Sequence, residues 1–282
     1  MFVYVNDQLV PAEEAKVSVF DRGLQYGDGF FETIRVEGGQ IFFLSEHLVR
    51  LKSSCQCFNI ELPRREWNRV ILELLDRNRL LQGLAAVKIL VTRGGEQREL
   101  ELGRSENPMV IIYARRYFPP DEKKYREGIS LVTFPHRRYH FLASHKSANY
   151  LFYLAARDWA RRREGDEAII LNGDGSVSEC ATANIFYRRG EAIHVPQSSH
   201  YLEGITEAQV KRILAKMGHA VSSVLTAVKD LQAADEIFVT NSLMGVIPVS
   251  QVDGTAVGSP QKLPRLLQTQ LFADTGPKGQ EP

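Results

Sequence analysis

Short alternating runs broken by tight turns open the chain, and helical spacing follows them. "MFVYVND" and "QLVPAEE" flank an Asn-Asp turn and predict a hairpin over residues 1–14. "GFFETIRVEGGQIFFL" (29–44) reads as strand, Glu-Gly-Gly turn, strand. "SEHLVRLKSSCQCF" (45–58) opens on Ser45, a good N-cap, and sets Leu48, Leu51 and Cys55 at helical spacing. "REWNRVILELLDRNRL" (65–80) predicts a second amphipathic helix. "LAAVKILVTRGG" (84–95) and "NPMVIIYARRY" (107–117) are Val- and Ile-rich runs that predict buried strands.

The polar, Pro-containing stretch "FPPDEKKYREG" (118–128) reads as a linker, which predicts domains over 1–118 and 129–272 joined by 119–128. The second half starts with a strand, "ISLVTFP", and a basic segment, "HRRYHFLASHK". A helix, "SANYLFYLAARDWARRR", follows and stops at Gly165. Its C-terminal arginines suit the negative end of the helix dipole. "EAIILNGDGSVSECATANIFYRRGEAIHVP" (167–196) predicts a strand, an Asn-Gly-Asp-Gly turn and two further strands. "GITEAQVKRILAKMG" (204–218) predicts a helix with a Thr206–Gln209 capping box and a stop at Gly218. "DEIFVTNSLMGVIPVSQVDG" predicts strand, loop, strand, and 273–282 a flexible tail. Helices mixed with hairpins, without repeats, make an α+β chain rather than a doubly wound sheet.

Composition removes several function classes. The 282 residues are 44% hydrophobic and 24% charged, with a formal net charge of +1. That balance gives no bulk electrostatic case for nucleic acid or an anionic membrane. No apolar run is long enough to span a bilayer, and residues 1–14 lack a secretion-signal pattern. Cys55, Cys57 and Cys180 are too sparse for a disulfide framework or a zinc site, which predicts packing thiols and a cytoplasmic protein. His136, His140 and His145 lack the carboxylate or thiolate that would complete a metal site, so no metal is expected.

Three features are candidates for chemistry. Lys146 precedes a long apolar pattern, and a lysine held against a core is either a snorkelling side chain or, with its pKa lowered, a nucleophile toward aldehydes. Gly204-Ile205-Thr206 opens a helix whose free N–H groups suit a phosphate, or is a plain cap. "TNSLMG" is a polar loop that could cradle an anion, or a simple turn. Together they fit a phosphate-bearing aldehyde cofactor.

"DRGLQYGDGFFETIR", "EHLVRL", "KSANYLFYLAA", "DEAIILNGDGSVSECATANIF", "LEGIT" and "TNSLMGVIPV" resemble, in order, the motifs of the fold-type IV pyridoxal phosphate enzymes, over nearly the whole chain to about residue 250. The resemblance implies a two-domain fold like that of D-amino acid aminotransferase, the cofactor pyridoxal 5′-phosphate and a homodimer. It implies that Lys146 holds the cofactor covalently and shuttles the substrate proton. Glu179 is then the acid at the pyridine nitrogen, favouring the protonated ring that acts as an electron sink. Arg50 is the phosphate arginine, with Ile205, Thr206, Asn241 and Ser242 as further phosphate contacts and Tyr150 near the phenolic oxygen.

The substrate signals are divided. "KSANYL" and "FFETIR" look like the aminotransferases, whereas "ECATANIF" and "NSLMGVIPV" look more like the 4-amino-4-deoxychorismate lyases. Arg98 stands where D-amino acid aminotransferases bind the substrate carboxylate. Their partner histidine is replaced by Leu100 and their tyrosine by Phe31, and the Arg-Gly-Tyr run of the lyases is missing as well. Arg137 and Arg138 are reserve candidates for the carboxylate. The expected activity is transfer of an amino group between an amino acid, with D- and branched-chain amino acids as candidates, and a 2-oxo acid. The lyase, releasing 4-aminobenzoate and pyruvate, is the alternative.

Overall fold

A computed structural model describes residues 1–95, 101–105, 107–258 and 262–273. The chain forms two compact units, Met1–Phe118 with His145–Tyr150, and Pro119–Ser144 with Leu151–Pro282.

In the first unit, β1 (Phe2–Val5) and β2 (Gln8–Pro11) form the N-terminal hairpin, turning at Asn6 in the left-handed region (φ 55°). Helix α1 (Arg22–Tyr26) is capped by Asp21, which accepts from the N–H groups of Gly23 and Leu24. β3 (Gly29–Glu37) turns at Gly38 and Gly39 into β4 (Gln40–Ile41). Helices α2 (Leu44–Cys57) and α3 (Trp67–Arg77) precede β5 (Leu84–Thr92) and β6 (Met109–Arg116). The antiparallel sheet runs β2-β1-β6-β5-β3-β4. Strand alternation sends Phe30, Ile34 and Val36 into a core with Leu51, Ile71, Leu74 and Ile89, and sends Phe31, Thr33 and Arg35 to the opposite face.

Ser45 is not a cap. The chain reverses straight from the two-residue β4 into α2, so Phe43 takes the cap position with a left-handed backbone (φ 56°), and the Ser45 hydroxyl bonds Glu46.

The second unit begins inside the expected linker, where Asp121 caps a short helix, α4 (Glu122–Glu127), by accepting from Lys123 N–H. After β7 (Ile129–Thr133) and a 3₁₀ turn (Phe141–Ser144), α5 spans Leu151–Arg161. Residues 147–150 are therefore outside the helix predicted for them. β8 (Glu167–Leu171) leads through the Asn-Gly-Asp-Gly turn to three strands rather than two: β9 (Val177–Cys180), β10 (Asn184–Arg189) and β11 (Ala192–Pro196). Then come α6 (Ile205–Lys216), β12 (Val221–Val224), α7 (Val228–Gln232), β13 (Glu236–Asn241), β14 (Gly245–Val252), β15 (Thr255–Ala256) and α8 (Lys262–Ala273). Residues 274–282, most of the expected tail, lie outside the described residues.

The mixed sheet runs β12-β11-β10-β13-β14-β7-β8-β9, with β15 paired to β14. β7 and β8 are parallel neighbours and β8 is buried on both faces, as the unbroken run "EAIIL" requires. Ile169 points into one core with Leu131 and Val239, while Ala168 and Ile170 meet α5 through Ala156 and Ala160. At α6 the capping differs from expectation. Gly204 is the cap, and Glu207, not Gln209, reaches back to its N–H at 3.2 Å. Among the described residues no helix is long and apolar enough to cross a membrane.

Candidate active site

Lys146 lies in a turn that leads into a single bridge, at Ser147, to the edge of β3. Phe31 N–H donates to Lys146 carbonyl at 2.8 Å, Ala148 N–H donates to Gly29 carbonyl at 2.9 Å, and Phe30 bridges Ser147. These bonds tie the backbone on either side of Ser147 to β3. Gly29 lets the start of β3 lie close against β5: a Cβ there would stand 2.5 Å from the Val91 carbonyl oxygen. On either side of the lysine the segment is held again. His145 Nδ1 meets Ser54 Oγ on α2 at 3.0 Å, and its ring packs against Phe30 and Phe58. Burial pushes the His145 pKa down, which favours the neutral ring. Asn149 bonds the Tyr26 carbonyl. The Lys146 ammonium stands 4.9 Å from the centre of the Phe31 ring, and Tyr150 meets that ring edge-on at 5.4 Å.

On the core face of β3, Glu32 is fully buried and anchors Arg50. The guanidinium donates twice, Nε at 2.8 Å and Nη2 at 2.7 Å, and His47 Nδ1 lies 2.7 Å from the same carboxylate. Burial alone would raise the Glu32 pKa, but Arg50 and His47 outweigh it and bring it down to about 2. Glu32 therefore orients the Arg50 fork through a charge-assisted bidentate pair.

In the second unit Glu179 is buried on β9, and Arg138 donates to its Oε1. Arg138 also donates to Ser178 Oγ, Tyr153 Oη and the His200 carbonyl, while Leu202 N–H donates to Glu179 Oε2. Burial, and next the nearby Glu179 carboxylate, push the Tyr153 hydroxyl up to about 12, so it stays protonated. At the start of α6, Gly204 leaves room for the Asn184 side chain, which would stand 2.0 Å from a Cβ. Thr206 follows, 2% exposed, and its hydroxyl has no hydrogen-bond partner among the described residues. Asn241 Oδ1 accepts from Leu243 and Met244 N–H and so shapes the loop that carries Ser242.

The structure thus brings Lys146, Phe31 and Tyr150 together in one unit, with Arg50 on the opposite face of β3. It holds Glu179, Thr206 and the Asn241 loop in the other. Arg138 is not a solvent-facing arginine: it is committed to Glu179. Arg137 is exposed and braces the Asn-Gly-Asp-Gly turn by donating to the Gly173 carbonyl. Arg98 lies outside the described residues. Sequence reasoning missed Glu32, His47 and Ser178. A buried carboxylate among Phe and Ile in "FFETIRV", matched by His47 and Arg50 three apart on a helix, was the available signal.

Each unit carries groups that suit pyridoxal 5′-phosphate. The lysine is fixed at its backbone, a buried carboxylate is held in place by an arginine, and an orphaned buried hydroxyl at a helix start matches a phosphate oxygen. The profile of the class IV amino-transferases matches residues 29–252. D-alanine aminotransferase of Bacillus licheniformis is 32% identical over 276 residues, covering 96% of each chain. Among solved structures, the branched-chain aminotransferase of the thermophilic archaeon Thermoproteus uzoniensis with norvaline superposes with a TM-score of 0.87 at 28% identity, over 96% of this chain and 93% of its own. A Legionella pneumophila structure described as a putative 4-amino-4-deoxychorismate lyase shares the fold, with a TM-score of 0.84 at 24% identity, over 92% of this chain and 96% of its own. The chain belongs to the class IV amino-transferase family, whose members work with pyridoxal phosphate.

Proposed function

We propose that the protein is a pyridoxal phosphate-dependent aminotransferase moving an amino group between an α-amino acid and a 2-oxo acid. The observation that carries this reading is Lys146, tied to β3 through its backbone carbonyl with its amine over Phe31. When bound, the cofactor supplies an electron sink for the charge left at the substrate Cα. Lys146 Nζ takes the proton from that carbon and returns it on the other side of the transfer. Glu179, fixed in place by Arg138, holds the proton of the cofactor's ring nitrogen. Arg50, oriented by Glu32, binds the phosphate together with Thr206 and the Asn241–Ser242 loop, and Tyr150 supports the cofactor's phenolic oxygen. Phe31 forms an apolar floor beneath the substrate.

The relatives at 30% identity or more point to D-alanine or branched-chain substrates, which share an α-carboxylate and an aliphatic side chain. The lyase alternative is supported by the fold alone. A homodimer is supported by a run of exposed apolar residues in the first unit, including Val19, Phe20 and Leu24, each at least 65% exposed. The free thiols Cys55, Cys57 and Cys180 suit a reducing compartment such as the cytoplasm.

The test follows the near-visible spectrum of the loaded enzyme with D- and L-alanine, D- and L-leucine and aminodeoxychorismate. Conversion of an alanine or leucine, abolished in Lys146→Ala, is the expected result. Turnover of aminodeoxychorismate alone, with release of pyruvate, would overturn it in favour of the lyase.

A further inference from the structure

Helix α6 opens beside an excess of negative charge. Glu207 occupies its third position with a side chain only 4% exposed. The carboxylate accepts from the Gly204 N–H at 3.2 Å and from the Lys211 ammonium, one turn on, at 2.5 Å. Tyr201, on the segment that leads into the helix, donates to the same carboxylate. Burial, and next the charges of Glu207, Glu203 and Glu179, push the Tyr201 hydroxyl up, so it stays a donor. Three carboxylates therefore crowd one hydroxyl. Glu179 has Arg138 as its cation, and Glu207 has Lys211.

The first N–H groups of a helix have no intrahelical acceptor and form the positive end of its dipole. In α6 they stand with the buried Thr206 hydroxyl, which has no partner among the described residues. A carboxylate at the third position acts on that site in one of two ways. Turned across the helix end, it occupies the donors itself and repels any other anion. Held on the Gly204 N–H and Lys211, it leaves them open, and the ammonium offsets its charge. The hydrogen bonds show the second arrangement. Lys211 is 37% exposed, so water weakens the pair from its side. The carboxylate is shielded, and without the ammonium its field would be poorly screened.

We propose that Lys211 is a positioning residue for the cofactor phosphate: it neutralises and turns aside the Glu207 carboxylate, which keeps the first turn of α6 open to a dianion. This rests on the reading of Thr206 as a phosphate contact. Tyr201 supplies the carboxylate's third hydrogen bond.

The test is equilibrium dialysis of the cofactor-stripped protein against pyridoxal 5′-phosphate and against pyridoxal, which lacks the phosphate. Wild type should prefer the phosphate ester. Lys211→Met should weaken pyridoxal 5′-phosphate by about tenfold or more, as for one uncompensated charge close to an anion, and leave pyridoxal unchanged. Glu207→Gln removes the charge and should bind pyridoxal 5′-phosphate at least as tightly as wild type. The double variant should return to within about threefold of wild type, although both partners of the ion pair are gone. A pair with a merely structural role would instead weaken both ligands alike in either single variant. Lys211→Arg should recover most of the affinity. Far-ultraviolet circular dichroism checks the fold of each variant, and Lys211→Gln replaces methionine if that residue packs badly. A neutral variant at 211 that binds like wild type, or a double variant no better than Lys211→Met, overturns the proposal. A wild type that binds pyridoxal as tightly as its phosphate ester overturns it together with the phosphate reading of α6. The expected series in a protein that converts no amino acid would sink the aminotransferase reading alone and leave the role of Lys211 standing.

Discussion

Glu32 and Glu179 are both buried carboxylates, and each is held by an arginine. Their proposed tasks differ, and so do the consequences of changing them. Glu179→Gln removes the charge proposed for the ring nitrogen, so the half-reaction should slow by about two orders of magnitude or more while the cofactor stays bound. Stopped-flow spectra of the loaded variant check this; an unchanged rate would mean that another group holds that proton. Glu32 belongs to the support of Arg50, and its signature is in stability. Its carboxyl titrates near about 2 when folded against an ordinary value of 4.5. Between those values the unfolded chain takes up a proton that the folded chain refuses. The stabilisation is therefore complete above about pH 5 and fades as pH falls toward about 2. Urea unfolding across that range should show a steep loss in wild type and a shallower one in Glu32→Gln. At neutral pH the variant should be less stable, because Arg50 keeps a buried charge without its partner.

At the level of elements, the join of the 146–148 segment to β3 decides where the Lys146 amine stands. It depends on Gly29, whose missing side chain lets β3 lie against the Val91 carbonyl oxygen and Thr92. Gly29→Ala should therefore displace the start of β3 and loosen the bridge to Ser147. We expect a loss of about 1–3 kcal/mol, the usual size for overpacking a tight site. Weaker retention of the cofactor on gel filtration should accompany it. A variant with unaltered melting temperature and cofactor content would show that the edge tolerates the shift. The alternation of β3 was legible in "GFFETIRV", because a half-buried strand imposes period two on its own residues. The bridge was not legible. Residues 147–150 carry a helical pattern continuous with α5, and only pairing with a strand more than a hundred positions earlier pulls them out of it. Ser45 failed as a cap for a related reason: the turn from β4 selects the cap position, and a hydroxyl two residues late cannot use it.

At the scale of the whole molecule, the exposed run around Val19, Phe20 and Leu24 is more apolar than a lone chain needs. If a second copy covers it, charge placed there should split the assembly without unfolding the protomer. Phe20→Asp combined with Leu24→Asp should shift sedimentation from dimer to monomer, with the far-ultraviolet circular dichroism unchanged. A wild type that sediments as a monomer would remove the homodimer from the proposed function.

Periodicity, turn chemistry and ordered motifs determined most of the strands, the helices α2, α3, α5 and α6, the family and the identities of Lys146, Arg50 and Glu179 as candidates, because each of those signals is local to a few residues. Tertiary structure alone decided which charges are partners. Arg138 stands in a basic segment that reads as a surface, and only the packing of β9 buries it against a carboxylate 41 positions away. Lys88 sits in an apolar strand that reads as core, and only strand register sets its amine over Phe31. Pairing across a sheet is fixed by non-local hydrogen bonds, and the pattern of a single strand does not say which neighbour it will meet.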